Sequence, residues 1–278
     1  MPLLIVAFTL AGGLGALIPL ESAAESELWT SALETSAYFV ASFGPVAVLV
    51  LLWVWRREKR GPGTLGLRRA GAVRYTLYGF AFGAGLISLG AGLLLTSGDA
   101  TLEFKQTDIQ GWVVIAPALV VLVGWIVQGL TEEIMFRGWM LQNTGIQLGP
   151  LPGAAFTIVL FSLAHALNPG ITALAGLNLL LIGVLFTLIA LFEGGVWAAS
   201  GFHIAWNWTQ SNVLGFKVSG LDVGGGSIVR IIPDESATTI TGGDFGFEGS
   251  VAATTTIVIG ILVVLALASR SQALGVGR

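Results

Sequence analysis

GWVVIAPALVVLVGWIVQGLTEEIMFR, residues 111–137, is the stretch that decides the fold of this chain. Its first 20 residues contain no Asp, Glu, Lys or Arg, and a helix needs about 20 apolar residues to cross a bilayer. The apolar run then passes directly into Glu132, Glu133 and Arg137. Because an ionisable group at membrane depth costs roughly 2.5–3.5 kcal/mol, such a group indicates a functional site or a structural ion pair. The stretch therefore predicts a membrane helix that ends in charged groups at membrane depth.

The composition of the whole chain is that of a membrane protein. The 278 residues are 54% hydrophobic and only 10% charged, whereas a soluble domain has roughly 25% charged residues. Too few charges are present to cover a soluble core, so we expect lipid to surround much of the surface. The net charge of -3 carries little information, because the placement of charges decides the topology of a membrane protein, and we do not expect nucleic acid to bind. The absence of cysteine excludes disulfides, thiolate metal sites and a cysteine nucleophile.

Eight apolar stretches are long enough, or nearly long enough, to span a bilayer. They predict an all-α fold, namely a polytopic membrane helix bundle of about eight transmembrane helices. The first stretch has no basic residue before it, so we expect a spanning helix there rather than a cleaved signal peptide. The predicted spans are 2–20, 37–55, 75–97, 111–130, 151–167, 171–192, 195–214 and 251–269.

Basic residues crowd the connection between the second and third spans, which the positive-inside rule places in the cytoplasm. Alternation then puts both chain termini in the cytoplasm. It puts the long polar connection 215–250 outside, where this segment is either a lid or a plain loop. We expect an integral protein of the cell membrane, surrounded by membrane lipid. The basic residues of the connection are Arg56, Arg57, Lys59, Arg60, Arg68, Arg69 and Arg74.

The Glu-Glu-x-x-x-Arg motif combines a paired acid with an unpaired one. Glu133 and Arg137 stand one helical turn apart with the acid first, which is the favourable order for an ion pair. Glu132 points about 100° away and has no partner in its own segment, which suits a general base. The alternative is a charged helix end at the cytoplasmic interface.

Two further pairs lie inside apolar stretches, Phe161 with His165 and His203 with Asn207. The members of each pair are four positions apart and so share one helix face. A His and an Asn on one face can donate two hydrogen bonds to one oxyanion. A structural histidine and polar contacts between helices are the alternatives. Because the fourth and fifth spans form a hairpin, antiparallel packing brings His165 to the level of Glu132.

These motifs resemble those of the CPBP intramembrane proteases (the ABI family), which include the CAAX prenyl endopeptidases and bacteriocin-processing or immunity proteins. The family pattern is Glu-Glu-x-x-x-Arg, then Phe-x-x-x-His, then His-x-x-x-Asn on successive membrane helices, and all three occur here in that order. The resemblance implies a CPBP-like intramembrane protease core over residues 111–270. Residues 1–110 would supply N-terminal transmembrane helices with a cytoplasmic basic loop.

The resemblance implies an intramembrane endopeptidase that hydrolyses a peptide bond of a membrane-associated protein, including a prenylated or lipid-anchored one. Glu132 would be the general base that activates water, and His165 would share that water. The second acid and its arginine would orient the site, and the pair on the seventh span would stabilise the oxyanion. The catalytic residues that the resemblance implies are Glu132, Glu133, Arg137, His165, His203 and Asn207.

The resemblance leaves the cofactor open between none and a divalent metal such as zinc, because the family is described both as metalloproteases and as metal-independent glutamate proteases. Two His and one Glu can bind zinc with one open position, and the ligands here would be Glu132, His165 and His203. The His-Glu-x-x-His motif of a zinc helix is absent. Asn207 is a poor zinc ligand and a good oxyanion donor, which favours the mechanism without a cofactor.

Two other functions are compatible with charge inside the membrane. One is a non-catalytic membrane scaffold or immunity protein of the same fold, which would keep the motifs without activity. The other is a proton-coupled transporter in which the acids and histidines relay protons. A transporter favours broken helices and repeat symmetry between its halves, and neither is visible in the sequence.

Overall fold

The computed structural model describes residues 25–103 and 111–273, and helices make up most of both ranges. Helices satisfy their backbone hydrogen bonds internally, which apolar runs in lipid require. The all-α fold predicted from the sequence is confirmed. The helices are α1 (Glu25–Arg56), α2 (Ala72–Ser97), α3 (Ile115–Glu133), α4 (Leu141–Leu148), α5 (Pro150–Ala164), α6 (Ala173–Glu193), α7 (Trp197–Trp208), α8 (Thr238–Thr241) and α9 (Val251–Ala273).

The described helices confirm an integral membrane protein, although they differ from the predicted spans in detail. The predicted spans 151–167 and 195–214 correspond to the shorter α5 and α7, with 15 and 12 residues. The predicted span 2–20 lies outside the described residues, so the total of eight spans stays a prediction. Five helices in the described ranges are long and apolar enough to cross a membrane: Leu28–Arg56, Ala72–Ser97, Ile115–Leu148, Ala173–Glu193 and Val251–Ser271.

Two π-helices extend the helices that carry the acid motif and the His-Asn motif. Ile134–Met140 joins α3 to α4, so that Ile115–Leu148 forms one continuous helix. Thr209–Val213 extends α7 in the same way. The first π-helix begins directly after Glu133, and the second begins two residues after Asn207. Since π-helices are rare and occur frequently at functional sites, both mark this region of the bundle.

Glycines on α2 let α7 approach closely. A side chain at Gly79 would collide with the carbonyl oxygen of Ala198, and one at Gly83 would collide with that of Phe202. Gly201 on α7 faces the backbone of α2 in the same way. Small residues at such interfaces are typical of membrane bundles, because they allow helix backbones to come close together. This packing fixes the position of α7, which carries the third motif.

The N-terminal helices are direct neighbours of the helices that hold the motifs. The rings of Phe39 on α1 and Trp125 on α3 lie 4.4 Å apart, while α2 packs on α7. The motif helices are therefore supported on two sides by the predicted N-terminal part. The division between 1–110 and 111–270 stays a prediction.

Hydrogen bonds connect three segments at one end of the bundle. The alternation of spans predicts that these segments lie on the same side of the membrane. Trp139 Nε1 donates to Glu58 Oε1 at 2.7 Å. Trp197 Nε1 donates to the carbonyl oxygen of Arg68 at 2.8 Å. The basic connection, the far end of the continuous helix and the start of α7 therefore lie together.

The opposite end contains a two-stranded sheet that the sequence did not indicate. Strand β1 (Ala100–Glu103) pairs antiparallel with β2 (Arg230–Pro233), which belongs to the connection 215–250. Phe247 of the same connection is fully buried, and its ring lies 6.0 Å from that of Trp206 on α7. The polar connection is therefore a folded segment that is anchored in the bundle by apolar side chains.

Candidate active site

The two acids lie at the end of α3, where the helix passes into its π segment. Glu133 Oε1 accepts a hydrogen bond from Nη1 of Arg137 at 2.9 Å, and both side chains are fully buried. This contact confirms the ion pair that the spacing predicted. Glu132 is also buried but faces different side chains. The site therefore holds a paired carboxylate beside a second carboxylate with another environment.

Aromatic rings surround the buried cation. The guanidinium carbon of Arg137 lies 4.4 Å from the ring centroid of Phe161 and 5.0 Å from that of Phe186. Its Nη2 donates to the carbonyl oxygen of Gly183 at 3.3 Å. Cation–π contacts are worth about 2 kcal/mol when desolvated, and they offset part of the cost of burying the charge. One arginine thereby joins the continuous helix to α5 and α6.

His203 lies between the two acids. Its Nδ1 is 3.0 Å from Glu133 Oε1, and its Nε2 is 4.0 Å from Glu132 Oε2. Because a carboxylate only accepts hydrogen bonds, Nδ1 carries the proton of the shorter contact. The imidazole also stacks on Phe186 with centroids 4.8 Å apart. The structure thus brings the acid motif and the first residue of the third motif together.

Glu132 has a partner in its own segment, and the prediction that it has none is wrong. Gln128, one helical turn earlier, donates from Nε2 to Glu132 Oε1 at 2.8 Å. Asn207 Nδ2 in turn donates to Gln128 Oε1 at 3.2 Å. Gln128 is a neutral amide, so the pattern of charges does not indicate it, although its spacing of four from Glu132 places both side chains on one helix face.

The second carboxylate oxygen of Glu132 has no protein hydrogen-bond partner within the described ranges, although it is buried. It is the oxygen that faces His203 Nε2 at 4.0 Å. This separation is too long for a direct hydrogen bond and suits a bridging water. A buried carboxylate oxygen of this kind can accept a proton from a water molecule.

His165 caps the C-terminal end of α5 at the edge of this cluster and is half-buried. Its Nδ1 is 2.9 Å from the carbonyl oxygen of Phe161, so Nδ1 carries the proton and a neutral ring keeps Nε2 as an acceptor. The rings of Phe161 and His165 are 5.0 Å apart, which confirms their shared face. Phe161 also lies 6.3 Å from the His203 ring. In the part of the chain that the structure describes, no hydrogen bond or ion pair joins His165 to Glu132.

Comparison with protein families bears on the residues that hold this cluster. Residues 114–209 match the family model of the Rce1-like type II CAAX prenyl endopeptidases. This segment is similar to that family and is called the Rce1-like segment below. The resemblance drawn from the three motifs is thereby confirmed, and it supports an intramembrane protease in general. Comparisons with curated proteins and with solved structures found no match.

The donor geometry of the Rce1-like segment does not fit a three-ligand metal site. Over residues 25–103 and 111–273, no group of three or more His, Cys, Asp or Glu side chains is placed to hold a metal ion. Three residues were named above as the zinc ligands if a metal is bound, namely Glu132, His165 and His203. In the described residues they do not form one metal-binding group.

Two side chains of the Rce1-like segment complete the cluster outside the three motifs. Gln128 links Glu132 to Asn207, and Phe186 contacts both the arginine and the histidine. Phe186 lies in an apolar run that looks like any lipid-facing span, so nothing in the sequence singles it out. The motifs alone therefore define the charges of the site but not the groups that hold them.

Proposed function

We propose that this chain is a membrane-embedded endopeptidase in which Glu132 directs a water molecule onto a peptide bond. The observation that carries the proposal is the free, buried Oε2 of Glu132 beside His203 Nε2, while Oε1 is held by Gln128. A carboxylate with one oxygen fixed and one available is suited to general base catalysis. The family description, a type II CAAX prenyl endopeptidase, names the same reaction class.

The hydrolysis needs no group beyond water and these side chains. Glu132 takes one proton from water, and the resulting hydroxide adds to the substrate carbonyl carbon to form a tetrahedral intermediate. The C–N bond then breaks as the proton passes from Glu132 to the leaving amine, which yields one carboxylic acid and one amine. We propose that His165 shares the attacking water through its acceptor Nε2, since Nδ1 is committed to the Phe161 carbonyl.

The oxyanion requires donors on the opposite side of the substrate carbonyl. Asn207 Nδ2 carries two hydrogens, and Gln128 accepts only one of them. His203 donates from Nδ1 to Glu133, so donation from Nε2 as well requires the imidazolium form. Preorganised donors of this kind typically contribute about 2.7–4 kcal/mol each to transition-state stabilisation. Glu133, with its arginine, would then hold His203 in place rather than react.

We propose that the substrate is a membrane-associated peptide or protein, including a prenylated or lipid-anchored one, which reaches the site from the cytoplasmic face. The basic connection supports this orientation, because the positive-inside rule places it in the cytoplasm with both chain termini. The cell membrane is the proposed location. No metal is required by the proposed reaction.

The test is cleavage of fluorescence-quenched peptides, with and without a C-terminal prenylated cysteine, by the full chain in lipid vesicles. We expect Glu132→Gln and His165→Ala to lose activity, and Glu235→Gln, an exposed acid at the opposite end, to retain it. Activity should persist with a chelator. Equal cleavage by all variants would refute the protease assignment built on Glu132 and His165, and no cleavage by wild type would favour a scaffold or transporter. Loss on chelation alone would restore a zinc mechanism.

A further inference from the structure

Gln128 is the only described side chain that hydrogen-bonds to both Glu132 and Asn207. It lies on α3 one turn before Glu132 and is 5% exposed. Its Nε2 is 2.8 Å from Glu132 Oε1, and its Oε1 is 3.2 Å from Asn207 Nδ2. A single amide thus bridges the proposed general base and a proposed oxyanion donor, which lie on different helices.

The chemistry of the three groups fixes the direction of both hydrogen bonds. A carboxylate can only accept, so the amide NH₂ of Gln128 must face Glu132. The carbonyl oxygen of Gln128 then faces Asn207, which must present its own NH₂. Neither amide can rotate by half a turn without losing a hydrogen bond. The orientation of Asn207 is therefore set from Glu132 through Gln128.

This arrangement leaves one reactive atom available on each neighbour. Since Oε1 of Glu132 is occupied, Oε2 is the oxygen that remains free to accept a proton. Since one hydrogen of Asn207 Nδ2 is donated to Gln128, the other remains free for a substrate oxygen. The same side chain therefore selects which oxygen acts as the base and which N–H faces the carbonyl.

We propose that Gln128 is a positioning residue that couples the orientation of the base to that of the oxyanion donor. This inference rests on the proposed function, because it assigns a role within that reaction. Gln128 does not contact the reacting atoms. Its loss should therefore lower kcat and leave KM nearly unchanged, since both groups that it orients act in the transition state.

Gln128→Leu and Gln128→Glu separate positioning from simple packing. Leu keeps much of the volume but forms neither hydrogen bond, and we expect kcat to fall about 100-fold, as misplacement of catalytic groups does. Glu keeps an oxygen for Asn207 but places a carboxylate against Glu132. The two carboxyl groups can share one proton at low pH and repel each other when both are ionised. The activity of Gln128→Glu relative to wild type should therefore fall as the pH rises.

The matched control is Gln142→Leu. Gln142 lies on the same continuous helix and also forms two hydrogen bonds, to Thr64 and Arg60, but at the end of the bundle. We expect it to keep the wild-type kcat and pH profile. Thermal unfolding shows whether each purified variant is folded. If Gln128→Leu is misfolded, the pH profile of Gln128→Glu tests the positioning role of Gln128.

The experiment measures kcat, KM and the pH profile of vesicle-bound wild type, Glu132→Gln, both Gln128 variants and Gln142→Leu with one cleaved peptide. Support is a fall in kcat for Gln128→Leu together with an altered alkaline limb for Gln128→Glu. Cleavage that depends on Glu132 but is unchanged in both Gln128 variants overturns this inference alone. Cleavage that is independent of Glu132 overturns the proposed function, and the role of Gln128 with it.

Discussion

Glu133 Oε1 accepts hydrogen bonds from both Arg137 and His203, at 2.9 and 3.0 Å. One carboxylate oxygen therefore fixes a cation on its own helix and an imidazole on α7. The acid motif and the His-Asn motif are joined at this atom, so the charge of Glu133 supports the position of His203 as well as the burial of Arg137.

Glu133→Gln should destabilise the protein. The variant keeps an oxygen that can accept, but it leaves the buried guanidinium without its counter-charge. Breaking a buried ion pair typically costs about 3–5 kcal/mol, and the free energy of unfolding in mixed micelles measures this loss. The exposed Glu235→Gln should change it by no more than about 0.5 kcal/mol. Equal stability of the two variants would show that the pair carries no net stabilisation.

Phe186→Leu should weaken the site without altering its charges. The change removes the aromatic face that contacts Arg137 and stacks on His203. We expect a loss of about 2 kcal/mol in unfolding free energy and a lower kcat. Phe192→Leu on the same helix is the control, because Phe192 is 49% exposed and faces away from the core. A similar effect of both substitutions would contradict a special role of Phe186.

Gly79→Ala should disturb α7 through its backbone contact with α2. The added Cβ would collide with the carbonyl oxygen of Ala198, and overpacking of this kind typically costs about 1–3 kcal/mol. Gly85 on the same helix has open space around it, so Gly85→Ala should be neutral or should stabilise the helix by up to about 1 kcal/mol. Unfolding free energies of both variants test the comparison, and a neutral Gly79→Ala would argue against close packing.

The stability of the protein should depend on pH in the acid range because of Glu58. Burial alone would raise the pKa of Glu58, but hydrogen bonds from Trp139 and Arg60 outweigh burial and hold this pKa below its ordinary value. A lowered pKa in the folded state stabilises the protein above the ordinary carboxylate pKa of about 4.3, and this stabilisation is lost as the pH falls through the folded-state pKa.

The measurement for Glu58 is the unfolding free energy as a function of pH for wild type and Glu58→Gln. The unfolding free energy of wild type should exceed that of Glu58→Gln by at most about 1 kcal/mol near neutral pH. This difference should shrink as the pH falls. Glu235→Gln should follow the wild-type curve. A constant difference between wild type and Glu58→Gln at all pH values would contradict a lowered pKa.

The fold class and the motif contacts could be predicted because they depend on local pattern. The apolar run before Glu132 predicts a membrane helix, and a spacing of four predicts the Glu133–Arg137 pair. The pairing of β1 with β2 could not be predicted in this way, since it joins two four-residue segments that lie more than 100 positions apart. The sequence also did not predict the end of α7 at Trp208, because the π-helix Thr209–Val213 continues the helix without a break.

The candidate site shows the same limit at the level of side chains. The resemblance assigns His203 to the oxyanion, but its hydrogen bond to Glu133 depends on the packing of α7 on α2 and could not be predicted from the motif. Gln128 was overlooked because it carries no charge, although it is buried and contacts Glu132 directly. Charge placement thus predicts where the site lies, and tertiary packing determines which atoms remain free.

The kcat/KM of Glu132→Gln relative to wild type tests the central claim most directly, with one cleaved peptide in lipid vesicles. Gln keeps the size of the side chain but cannot accept a proton from water. We expect kcat/KM to fall by about 100- to 10,000-fold, as the loss of a general base does, while Gln142→Leu retains the wild-type value. Unchanged cleavage by a folded Glu132→Gln protein would contradict the assignment of Glu132 as the base.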